Sequence, residues 1–174
     1  MFLNLTIPPH KTAAFDSFPD MTEYPADCVY PSRLQYQNGT TVKLYSAACP
    51  AVTQLHFKWL YDYGLDGVFL QRFVSEVTQQ FRNTQFTTFV QRNAVLQNIM
   101  NASVTYGRVF AIEYDVSGAN DNTVFGDITT DWQFLVNNLS MTASPRYLHH
   151  VSLNDISWRA FCVSCCAHPN NIEW

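Results

Sequence analysis

Charge is scarce in this chain. Asp, Glu, Lys and Arg account for 14% of its 174 residues, against about 25% in typical globular domains. The net charge is −4, and the few basic residues nowhere cluster. Neutralising a phosphate backbone takes clustered Lys and Arg, so a nucleic-acid partner is excluded. No run of about 20 apolar residues exists, which leaves no candidate membrane-spanning helix and argues against a membrane partner. Glycine is limited to six residues, none set in a Gly-X-Gly-X-X-Gly or P-loop arrangement, so the nucleotide-binding fingerprints are missing. The opening Met1-Phe2-Leu3-Asn4-Leu5-Thr6-Ile7-Pro8-Pro9 holds no basic residue, and its apolar run is too short for a recognisable secretory signal peptide.

What the chain does hold is apolar and aromatic material, 47% and 15% of residues, ample for the core of one domain. A low-charge, ring-rich, Asn- and Thr-rich composition is common in secreted and carbohydrate-handling proteins. Four Asn-X-Ser/Thr sequons occur, at Asn4, Asn38, Asn101 and Asn138, and these matter only in the secretory route. The expectation is a secreted parent protein. Five cysteines leave at least one thiol unpaired within the chain. Cys28 and Cys49 stand alone, whereas Cys162, Cys165 and Cys166 crowd together.

Residues 1–40, rich in Pro, Asp and Ser, read as an irregular lead-in. Val42-Lys43-Leu44-Tyr45-Ser46 alternates like a short strand. Pro50 suits the first turn of a helix, with Val52, Leu55, His56, Trp59 and Tyr63 as its apolar stripe and Gly64 as its stop. On that stripe His56 and Trp59 read as core residues. The run Gly67-Val68-Phe69-Leu70-Gln71 suits a parallel strand covered on both faces. A long helix is expected over roughly 84–106, carrying Phe86, Phe89, Val90, Leu96, Met100 and Val104, and stopped by Gly107. Val109-Phe110-Ala111-Ile112 is a third strand, leading into Glu113-Tyr114-Asp115. A helix around 127–139 follows, with Ile128, Trp132, Leu135 and Val136. This alternation of strand and helix predicts an α/β fold with parallel strands.

Three blocks carry a resemblance. The first is Leu44-Tyr45-Ser46 with His56-Phe57-Lys58-Trp59-Leu60 and the stretch from Asp62 to Phe73. The second is Arg92-Asn93 with Val95-Leu96-Gln97-Asn98. The third runs from Tyr106-Gly107-Arg108 through Tyr114-Asp115-Val116-Ser117-Gly118-Ala119, and Asp131-Trp132 and Ser144-Pro145-Arg146-Tyr147-Leu148 extend it. Together, over about residues 30–150, they resemble the fungal glycoside hydrolase family 71/99-like proteins, often labelled xylosidase or arabinosidase and related to endo-α-mannosidases. The resemblance implies a partial (β/α)8 TIM barrel, with about three or four of eight parallel strands over residues 41–150, and a carbohydrate substrate without a cofactor.

A barrel active site lies at the C-terminal strand ends. That places Tyr45, Gln71, Arg72, Tyr114 and Asp115 as candidate substrate-binding residues. Aromatic faces meet sugar C–H surfaces and planar polar groups meet hydroxyls. The alternative for Arg72 and Asp115 is an ion pair bracing the rim. Alternation along the strand should turn Glu113 toward a helix and Tyr114 away from it; the alternative for Glu113 is the last exposed turn of the strand.

Glycoside hydrolysis needs two carboxylates, and the family's catalytic glutamates lie beyond the matched region. Glu76, Glu113 and Glu173 do not correspond to them, so no catalytic residue is assigned. Two functions remain open: a truncated hydrolase-like protein, inactive alone, or a non-enzymatic glycan-binding fragment that self-associates through open barrel edges. From Val151 the chain departs from the family pattern. Residues 151–174 read as a divergent tail without a buried parallel strand, matching a retained intron followed by a stop. A zinc site from Cys162, Cys165 and His168 is the rival, although a structural site wants four ligands.

Overall fold

The computed structural model describes residues 5–6, 19–36, 38–151, 157–159 and 161–164. Strand β1 (Leu5–Thr6), β2 (Val29–Tyr36) and β3 (Thr41–Tyr45) form an antiparallel sheet in that order. Strand β2 therefore occupies part of the stretch expected to be irregular. Its pairing with β3 is local: the turn between them contains Asn38-Gly39, the dipeptide that most strongly favours a tight hairpin, and Gly39 takes a left-handed φ of 81°. A disulfide joins Cys28, at the foot of β2, to Cys49, beyond the foot of β3, with Cα atoms 5.9 Å apart. The hairpin is thus closed at both ends.

Helix α1 (Pro50–Asp62) starts at Pro50 as expected and buries Val52, Thr53 and Phe57. That face is rotated from the expected stripe, and Tyr63 is 79% exposed. Strand β4 (Gly67–Phe73) follows, then α2 (Gln79–Thr84), α3 (Phe86–Tyr106) and β5 (Val109–Asp115). Phe89, Asn93, Leu96, Ile99, Ala102 and Ser103 form the buried face of α3, which ends on Gly107 in the left-handed conformation, as a helix stop requires. Helix α4 (Val124–Asn137) is the last α-helix among the described residues. Strands β4 and β5 run parallel in register from Gly67 opposite Val109 to Phe73 opposite Asp115. A Cβ on Gly67 would lie 1.9 Å from the Val109 carbonyl oxygen, so only glycine allows this approach.

The fold is mixed α/β, and the expected partial (β/α)8 barrel is overturned. Strand β3 pairs antiparallel with β2 instead of lying beside β4, which leaves β4 at the edge of its sheet among the described residues. The cause is entropic: closing a short hairpin costs less than carrying β3 across a helix to a distant neighbour. Strand β6 (His149–Val151) pairs antiparallel with β7 (Ser157–Arg159). Strand β8 (Phe161–Ser164) lies parallel to β5 along Ile112–Asp115. The tail, expected to lack a buried parallel strand, contributes the parallel strand β8.

Strand alternation divides the β4–β5 ladder into two faces. Phe110, Ile112 and Tyr114 join Leu96 and Ile99 of α3, Leu135 of α4 and Phe57 of α1 in the core, with Val68 and Leu70 packed against them. On the opposite face Phe69, Gln71 and Phe73 are exposed. Tyr114 consequently points to the helices, the reverse of the expected orientation, and Glu113 lies on the open side, nearer to the alternative of an exposed strand end.

Candidate functional site

A cavity of about 500 Å³ lies along the free edge of β4, between that strand and α1 and α3. This is the edge that a barrel would have filled with its first strand. Tyr45 lines it together with His56, Trp59 and Tyr63, and Phe69 and Leu70 supply the strand side. Tyr24 stacks on Tyr45 with ring centres 4.4 Å apart and an 8° interplanar angle. His56 stands edge-on to Tyr45 at 5.5 Å and stacks on Trp59 at 5.3 Å.

Hydrogen bonds hold these rings in place. The Tyr24 hydroxyl and His56 Nε2 are 2.8 Å apart. Trp59 Nε1 donates to Glu23 Oε2 at 3.1 Å. Burial pushes the Tyr24 phenol up to about 12, with Tyr45 adding to the shift. Burial lowers the His56 pKa. The expectation of a core role for His56 and Trp59 is corrected accordingly: both are half-buried and wall a cavity.

The five candidate residues do not converge. Tyr45 is in the aromatic wall. Arg72 and Tyr114 lie on the helix-covered face, where both meet Asp131 of α4. Arg72 donates from Nε and Nη2 to the two Asp131 oxygens at 2.8 and 2.9 Å, and Tyr114 donates at 2.9 Å. Arg82 adds a bond at 3.0 Å, and Asn93 Oδ1 accepts from Arg72 Nη1 at 3.2 Å. Asp131 is fully buried and Arg72 is 5% exposed. Burial first, then the Asp131 charge, pushes the Tyr114 phenol far above its usual range. Bidentate charge-assisted bonds of this kind are strong and directional, and here they fasten β4 to α4.

Gln71 and Asp115 are together on the opposite face, where Gln71 Nε2 donates to Asp115 Oδ2 at 2.5 Å. The Ser117 N–H donates to Asp115 Oδ1 at 2.8 Å. Bonds from the Ser117 hydroxyl and N–H, with a smaller one from Gln71, hold the Asp115 carboxyl below its usual range. Arg72 therefore pairs with Asp131, not with Asp115. A smaller cavity of about 200 Å³ beside the first includes Gln71, Arg72, Phe73, Glu76 and Arg92, and Glu76 accepts from Arg92 at 3.0 and 3.2 Å.

Among the described residues no cluster of His, Cys, Asp or Glu could hold a metal ion. Cys165 and His168 of the alternative zinc site lie outside them. No described helix is long and apolar enough to cross a membrane. No protein-family model, curated protein or solved structure matches the chain.

Proposed function

We propose that this chain binds carbohydrate without hydrolysing it, as a non-enzymatic relative of the glycoside hydrolase 71/99-like proteins it resembles. The carrying observation is the aromatic-walled cavity of about 500 Å³ beside β4. Its size falls in the usual range for small-ligand pockets. Tyr45, Trp59, Tyr63 and Phe69 offer ring faces to sugar C–H surfaces, and His56 and Thr53 offer polar atoms to hydroxyls. A hydrolase would need a carboxylic acid with a raised pKa beside a second carboxylate. The two buried carboxylates among the described residues do not suit that role: Asp131 is neutralised by two arginines, and the Asp115 pKa is lowered.

Titration of soluble manno-, xylo- and arabino-oligosaccharides, read by tryptophan fluorescence and calorimetry, tests the reading. Saturable binding is expected, at least tenfold weaker in Trp59→Ala, with no reducing sugar released on prolonged incubation. Tyr63→Ala, at an exposed position, should also weaken binding while the circular dichroism spectrum is unchanged. Hydrolysis, absence of binding by every sugar, or preference for an apolar probe would each overturn it.

A further inference from the structure

The tip of the β2–β3 hairpin carries chemistry that the cavity does not use. Asn38, Gly39 and Thr40 are all exposed, and together they form an Asn-X-Thr sequon. The Thr40 N–H donates to Asn38 Oδ1 at 3.0 Å, while the Tyr36 N–H donates to the Thr40 carbonyl at 2.8 Å. Asn38 Nδ2 makes no hydrogen bond among the described residues. The backbone is thus a formed turn that presents one amide nitrogen to solvent.

The other sequons within the described residues differ. Asn101 is inside α3, and its hydroxyl partner Ser103 is fully buried, donating to the Met100 carbonyl at 2.8 Å. Asn138 caps α4, and the Leu139 that follows is packed against the core. Asn38 alone among them has its whole tripeptide exposed.

A second observation concerns the compartment. The hairpin's feet are joined by the Cys28–Cys49 disulfide, a bond that persists where the surroundings are oxidising, and that is the route in which sequons are read. We infer that Asn38 carries an N-linked oligosaccharide. The donor class is a lipid-pyrophosphate oligosaccharide. A bond forms between Asn38 Nδ2 and the sugar C1, the bond from C1 to the pyrophosphate oxygen breaks, and lipid pyrophosphate leaves with the electron pair. The amide proton passes to a base of the transferase. The bulky polar group would cover the hairpin tip, away from the β4 cavity, so this inference stands apart from the carbohydrate-binding reading.

The test uses the chain isolated from the cells that make it. Digestion with a peptide-N-glycosidase in heavy-oxygen water converts a glycosylated Asn38 to labelled aspartate, read by mass spectrometry. A mock digestion without enzyme subtracts spontaneous hydrolysis at Asn38-Gly39. Enzyme-dependent label is expected, and Thr40→Ala expressed in the same cells should lose it completely while keeping the Cys28–Cys49 bond. Unmodified Asn38, with the disulfide intact or reduced, overturns the inference.

Discussion

Four donor atoms meet one buried carboxylate at Asp131: Nε and Nη2 of Arg72, Nη2 of Arg82 and the Tyr114 hydroxyl. Such a pair gains little over a well-packed apolar replacement, but removing one member strands the other charge. Asp131→Asn should therefore cost about 3–5 kcal/mol in urea unfolding; a loss under about 1 kcal/mol would mean that the arginines find other partners. Tyr114→Phe removes a single hydrogen bond to a charged group and should cost about 1.5–3 kcal/mol.

His56 gives a pH dependence with a definite sign. Its pKa is lower folded than unfolded because the folded ring is partly desolvated, so the unfolded chain takes up the proton more readily. Stability should be level above the unfolded value near 6.5 and decline as pH falls below it. In His56→Phe, the urea midpoint should decline less between neutral and mildly acidic pH. An identical decline would remove His56 as the cause. At this scale the sequence was partly readable. Alternation alone separates Gln71 and Asp115 from Arg72 and Tyr114, but Asp131 lies 59 residues from Arg72, and no local pattern announces that contact.

Among the elements, the helices were the more legible. Pro50 and Gly107 mark real ends because missing N–H groups and left-handed φ values are local requirements. The barrel expectation failed because alternation of strands and helices specifies which elements form, not which strands become neighbours. The local signal that contradicted it was Asn38-Gly39 between two β-rich runs, which favours β2–β3 pairing over a long crossover. The Cys28–Cys49 bond reinforces the hairpin by closing a loop across a separation of 21 residues. Cys28→Ser should lower stability by about 3 kcal/mol, and the wild-type chain treated with reductant should unfold at the same denaturant concentration as that variant. If reduction leaves the midpoint unmoved, the hairpin is held by its strand pairing alone.

For the whole molecule, the tail is decisive. The start of β5 is bridged on one side by Tyr147, whose neighbour Leu148 donates its N–H to the Phe110 carbonyl at 2.9 Å. Farther along, β8 takes over beside Ile112–Asp115. Residues Ile112, Tyr114 and Asp115 are all at most 1% exposed, so this end of β5 is the centre of its sheet. Deleting residues 152–174 would remove β8 and turn that centre into an open edge with unpaired N–H and C=O groups. Such edges recruit other strands. The truncated chain should accordingly self-associate on size-exclusion chromatography with light scattering. In a chain of this size each 1 kcal/mol lost lowers Tm by about 2–4 °C, so losing β8 should read as a fall of several degrees. A monomeric truncation with unchanged Tm would show that β5 needs no partner there, and that the fold is complete at the β4–β5 pair and its helices.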